Sequence, residues 1–143
     1  MDSPQLDRTQ LQALAELRLK DAEALLAAGQ WDAAHYLLGY CIECALKACF
    51  AKSLRVHAVP DKKLVSDFYT HDFGKLRKIS GVDEEMLRHG SSDANFANSW
   101  NIVKDWKETA RYEIVVTEAV ARGMYEAVTN EESGVLPWLK IRW

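Results

Sequence analysis

Proline and glycine are scarce in this chain, with 3 and 7 in 143 residues, a composition that suits long helices with few interruptions. No run approaches the roughly 20 apolar residues that a bilayer span requires, so a membrane-spanning reading is excluded. The opening MDSPQLDRTQ is polar and acidic, unlike a secretory signal. A formal charge of −3 provides no overall attraction to nucleic acid or to an anionic membrane, so any such contact has to be a local patch. Three cysteines, all on one presumed helix, are not a disulfide framework, which points to a reducing, cytoplasmic compartment. There is no Gly-rich phosphate loop, no G-x-S-x-G and no Glu-x-x-His. No cofactor is expected.

What is present is a helical pattern, with 48% hydrophobic residues, in a chain long enough to bury a sizeable core. Its centre is Trp31 to Lys52, WDAAHYLLGYCIECALKACFAK. Ala34, Leu37, Leu38, Cys41, Ala45, Ala48 and Cys49 recur at helical spacing, and Gly39, Ile42, Leu46 and Phe50 form a second face. A helix apolar over most of its girth is a central one. Asp32 is expected to cap its start. Its polar remainder is His35, Tyr36, Tyr40, Glu43 and Lys47. The last two are four apart and can pair.

Around this centre the pattern predicts an all-α bundle of four to five main helices, one domain over 1–143. A helix from about Thr9 to Ala28 ends at Gly29, and the short link makes an antiparallel hairpin with the central helix. Ser53 to Tyr69, broken by Pro60, reads as a long loop with a short turn. Thr70 caps a short helix, His71 to Ile79, which stops at Gly81. A turn follows from Asp83 to Gly90. Ser91, Ser92 and Asp93 introduce a helix to about Trp106, with Phe96, Trp100, Val103 and Trp106 on one stripe. The β-branched run Ile114, Val115, Val116 favours an extended link. A last helix opens at Thr117 and runs to about Asn130, with Ala119, Val120, Gly123, Ala127 and Val128 inward and Gly134 closing it. In the tail VLPWLKIRW, Leu136, Trp138, Leu139 and Trp143 are expected to pack on the bundle or on a dimer mate, with Pro137 at the start of a short turn.

Few residues in this framework carry obvious chemistry. Cys41 and Cys44 form a C-x-x-C, but far from a helix N-terminus that would activate a thiol, and packing competes with a redox role. Glu85 and His89 are four apart on a short segment, which does not complete a metal site, and no metal is expected. His71-Asp72 opens a helix ahead of Lys75, Arg77 and Lys78, either as a helix start with a solvated basic face or as a site wall whose imidazole titrates near neutrality. Arg111-Tyr112 lies in the link between two helices, preceded by Lys104, Trp106 and Lys107. The guanidinium suits a phosphate or caps a helix end, and the tyrosine can stack a base.

The segments HYLLGYCIECALKA, THDFGKL and NSWNIVKDWKETARYE, in that order, resemble the HEPN family, the higher eukaryote and prokaryote nucleotide-binding domain. The GVLPW ending is similar to a bacterial branch of it, and the resemblance covers roughly residue 10 to the end. It implies a helical bundle that commonly forms a homodimer, in a family of metal-independent ribonucleases, toxin partners of small nucleotidyltransferases, and non-catalytic nucleotide or RNA binders. The ribonucleases resemble one another in an Arg followed, after four to six intervening residues, by His. No arginine here has a histidine at that spacing; after Arg111 the window reads Val116, Thr117, Glu118. The Arg111-Tyr112 pair matches the non-nuclease branch instead.

The expected function is therefore a non-catalytic nucleotide- or RNA-binding homodimer that acts with a genomically linked partner, such as a nucleotidyltransferase, in a toxin–antitoxin or defence setting. A ribonuclease with a displaced histidine, His71 or His35, and a purely structural interaction module are the rivals. The expected ligand site gathers Arg111, Tyr112, His71, Asp72, Lys75, Glu43 and Lys47. Its grounds are the helix start at His71-Asp72, where backbone N–H groups favour an anion, and a Glu43–Lys47 pair whose burial demands a partner or ligand. The homodimer is expected on residues as well. An almost wholly apolar central helix and five tryptophans exceed what one small bundle readily covers.

Overall fold

A computed structural model describes residues 7–54, 62–109 and 115–143. Among these residues the chain forms eight helices and no strand: α1 (Arg8–Ala27), α2 (Trp31–Ser53), α3 (Lys62–Phe68), α4 (Phe73–Ile79), α5 (Asp83–Ser92), α6 (Ala94–Lys104), α7 (Glu118–Thr129) and α8 (Val135–Lys140). The all-α bundle predicted from the periodicity is what the chain adopts. None of the helices is long and apolar enough to cross a membrane, among the described residues.

The first two helices form the expected antiparallel hairpin. Asp7 starts α1 through a capping box, its side chain accepting from the Gln10 N–H while the Gln10 side chain accepts from the Asp7 N–H, so the helix begins slightly earlier than the periodicity suggests. At the other end Gly29 adopts φ 73°. The Gly29 N–H then reaches the Leu26 carbonyl and the Gln30 N–H the Leu25 carbonyl, which satisfies carbonyls that a helix end would leave unpaired. The start of α1 and the last turns of α2 both meet the C-terminal tail. Arg8 and Gln12 donate to the Trp143 carbonyl at 2.7 and 2.8 Å, and Cys49 contacts the Leu139 carbonyl.

Helix α2 is the hub, with α1, α4, α7 and α8 all packed on it. From Leu38 to Phe50 all residues but Tyr40 are buried, as its apolar girth requires. The main core joins it to Phe73, Leu76, Phe96, Trp100, Met124, Leu136 and Leu139. The tail is part of this core: Leu136, Trp138 and Leu139 are buried and Trp143 packs against them. Pro137 lies in the first turn of α8, where a missing N–H costs nothing.

Local expectations fail where a neighbour outcompetes the simple pattern. Asp32 does not cap α2; it sits in the first turn, and the cap residue is Gln30 with no side-chain bond. Part of the loop expected over Ser53 to Tyr69 is the helix α3, whose Phe68 lies against Phe50 at 5.3 Å between ring centroids; Pro60 lies outside the described residues. The helix expected from His71 starts at Phe73. Asp72, not Thr70, is its cap and accepts from the Lys75 N–H at 3.0 Å, while Thr70 Oγ1 accepts from the Asp72 N–H. The turn after Asp83 is a ten-residue helix, begun by three acids that suit a helix N-terminus. Asp93 caps α6 as expected, but α6 stops at Lys104, and Trp106 folds back onto α2 from beyond it. Thr117 opens α7 as predicted, as its cap, yet the buried face of the helix is Ala121, Met124, Ala127 and Val128, with Ala119 and Val120 exposed. The rotation places Met124, the larger side chain, in the core. Gly134 does not close α7. It precedes α8 in a turn where a β-carbon would collide with the backbone of Asn130 and Val128.

Candidate functional site

The expected site converges in part. His71 lies just before α4 and Glu43 midway along α2, and the imidazole Nδ1 is 2.5 Å from Glu43 Oε1. The other oxygen of Glu43 faces the Lys47 ammonium at 3.5 Å, an ion-pair distance longer than a good hydrogen bond. Lys47 also lies over the Phe68 ring at 5.1 Å. Glu43 is 4% and Lys47 9% exposed, so the pair is buried as its position on the hub helix implies. The partner its burial demands is His71. One carboxylate thus faces two basic groups, which offsets much of the cost of removing it from water.

A second carboxylate, absent from the expected set, completes the arrangement. Glu108 Oε2 is 2.9 Å from His71 Nε2. Both ring nitrogens face carboxylate oxygens, and two ionised carboxylates are both served only when both nitrogens carry protons. Tyr40 stacks edge-on to His71 at 6.3 Å and to Trp106 at 5.7 Å. A hydrogen bond with Tyr36, then burial, then the nearby charges of Glu43 and Glu108 push the Tyr40 phenol above its usual range, so it stays a neutral hydroxyl beside these carboxylates.

His71 opens onto a cleft of about 330 Å³, lined by Thr70, Asp72, Phe73, Lys104, Trp106, Lys107, Glu108 and Thr109 as well. Its rear wall is aromatic, with Phe73 and Trp106 stacked at 5.2 Å and 12° between planes. Trp106 can lie there because Gly39 leaves room for the indole against α2.

The remaining expected residues are distributed differently. Asp72 lines the cleft, but its carboxylate is engaged at the α4 cap. That carboxylate, rather than a bound anion, accepts from the Lys75 N–H at the helix start. Lys75 is exposed on α4 and is not among the cleft-lining residues. Lys47 and Glu43 stand behind His71 rather than in the cleft wall. Arg111 and Tyr112 lie outside the described residues. Lys104, Trp106 and Lys107, the interleaved basic and aromatic residues of the sequence, do line the cleft. Glu108 carried no signal, since its role depends on a partner 37 positions away in the chain, His71.

The cysteines face the core. Burial pushes the thiol of Cys41 up to about 12 and those of Cys44 and Cys49 to about 11. All three are free and buried, an environment that keeps a thiol protonated and unreactive. His89 lies 3.6 Å from Asp93, and Glu85 pairs with Arg142. No group of three or more His, Cys, Asp and Glu side chains is placed to hold a metal ion, among the described residues.

Comparison of this chain with family models, with curated proteins and with solved structures finds no match.

Proposed function

We propose that the chain is a HEPN-like, non-catalytic nucleotide- or RNA-binding protein that works as a homodimer with a partner protein of the nucleotidyltransferase type, in a toxin–antitoxin or defence setting. The observation that carries the binding reading is the cleft at His71. It combines an imidazole oriented by a buried carboxylate, the lysines Lys104 and Lys107, two threonine hydroxyls and an aromatic wall. Cationic donors beside an aromatic surface suit a phosphate-bearing ligand better than a neutral metabolite. The Arg111-Tyr112 pair, two residues beyond Thr109 in sequence, belongs to the same proposal through the family resemblance.

Binding of fluorescently labelled nucleotides and short RNA to the wild type and to Arg111→Ala tests it. Binding that is lost in the variant supports the assignment. Equal binding with unchanged folding moves the site away from Arg111. Light scattering at micromolar concentration tests the homodimer, which a monomeric mass would refute. A stable complex with another protein and no affinity for nucleotide or RNA would instead support the structural interaction module.

The displaced-histidine ribonuclease has one observation in its favour. His71 Nδ1 is held by buried Glu43, the kind of orientation a general base needs. His35 is on α2 and does not line the cleft. Metal-independent cleavage of RNA that disappears in His71→Ala would support this second reading.

A further inference from the structure

We infer that Glu108 stands in for a ligand's phosphate on His71, so that the cleft is self-occluded until an exogenous oxyanion displaces this carboxylate. The inference rests on the phosphate-binding reading above and specifies where the phosphate sits and what competes with it.

The two carboxylates on His71 are not equivalent. Glu43 comes from the middle of the hub helix, its side chain is 5% exposed, and its second oxygen is shared with Lys47. It has nowhere to go without leaving Lys47 unpaired in the interior and His71 without its buried partner. Glu108 follows the end of α6 by four residues, its side chain is 41% exposed, and it lines the open cleft. Ion pairs at that level of exposure are weak and screened by salt. Nδ1 is therefore the fixed side of the ring and Nε2 the exchangeable side.

The chemistry of the exchange is like for like. A carboxylate oxygen that accepts a charge-assisted bond from an imidazole N–H occupies the position a phosphate oxygen takes in the same bond. With Glu108 seated, the acids Asp72 and Glu108 balance the lysines Lys104 and Lys107 in the lining. Asp72 is committed to the α4 cap through the Lys75 N–H, so Glu108 is the acid that can leave. Once it swings out toward solvent, Nε2 loses its partner and Asp72 is the one acid left in the lining against the two lysines. Trp106 and Phe73 behind them, stacked and buried, keep this wall in place while the acid moves.

The consequence is opposite to that of an ordinary binding residue: removing Glu108 strengthens binding. The test is the affinity of a labelled short single-stranded RNA for the wild type, Glu108→Gln, Glu108→Ala, His71→Ala and the His71→Ala/Glu108→Gln double variant, with inorganic phosphate as competitor. Both Glu108 variants should bind about three- to tenfold more tightly at low salt, with a gain that shrinks as salt rises. The Glu108→Gln gain should be smaller in the His71→Ala background, since the two residues are coupled. In the wild type, added phosphate should shift the His71 Nε2 resonance in the ¹⁵N spectrum and leave circular dichroism unchanged. Wild-type binding with equal or weaker binding by the Glu108 variants would overturn the self-occlusion and leave the phosphate-binding reading standing. No binding by any of the proteins would overturn both.

Discussion

Trp106 lies on the bare α-carbon of Gly39, where a β-carbon would overlap Cε2, Nε1 and Cδ2 of the indole. Gly39 is in the interior of α2, a position where glycine ordinarily weakens a helix by about 1 kcal/mol relative to alanine. The contact shows what the glycine is for: it admits a buried indole that stacks on Phe73 and forms the rear of the cleft.

Gly39→Ala should therefore destabilise the protein despite its better helix propensity. The clash involves a rigid ring packed on Phe73, Tyr36 and Tyr40, and overpacking of this kind costs about 1–3 kcal/mol. Chemical denaturation of the variant measures it. A variant more stable than the wild type would show that the indole moves aside freely.

Glu43 is expected to be the most sensitive polar residue in the fold. Glu43→Leu leaves Lys47 buried without its carboxylate and His71 without its fixed partner. Breaking a buried pair from one side costs about 3–5 kcal/mol. Glu43→Leu combined with Lys47→Met should recover much of that loss, because apolar pairs of similar volume replace buried ion pairs well. Unfolding curves of the single and double variants decide it, and a double variant no better than the single one would contradict the expectation.

The tail should be essential to the bundle. Leu139 is fully buried against the core, and Leu139→Ala should cost about 2–5 kcal/mol. Removal of residues 135–143 should lower the melting temperature by more, since it also removes Leu136 and Trp138 from the core and the carbonyl acceptor of Arg8 and Gln12. An unchanged melt would rule out a docked tail.

The thiols give a pH dependence. Their folded-state values lie near 12, 11 and 11 against an ordinary 9.0. Below about pH 9 both folded and unfolded thiols are protonated, and the full contribution to stability is present. Above it the unfolded chain releases protons that the folded chain retains, so stability falls as pH rises toward the folded values. Denaturation at about pH 8 and pH 10 should show this fall, less steeply in Cys41→Ala. At about pH 8 the native thiols should alkylate far more slowly than those of the unfolded chain. Rapid native alkylation would contradict their burial.

Some of these features were legible in the residue order because their causes are local or periodic. The hub helix follows from apolar spacing between Trp31 and Lys52, the hairpin from Gly29, and the caps of α6 and α7 from Asp93 and Thr117. The need of Glu43 and Lys47 for a partner followed from charge within an apolar stretch. The rotation of α7 was not legible, because Val120 and Ala121 fit an apolar stripe equally well until Met124 is set against the core. Nor was the cap of α4, where Thr70 and Asp72 both offer an oxygen and only the backbone path selects between them.

The sequence by itself determined the all-helical class, the central helix, the first hairpin and the apolar character of the tail, since each depends on spacing within a few turns of chain. Only the tertiary structure decided that His71 meets Glu43 across 28 positions and Glu108 across 37, and that Trp106 returns to Gly39. Such contacts join residues from separate elements, and their geometry is set by how the helices pack on α2. No pattern along the chain encodes which acid reaches which face of one imidazole.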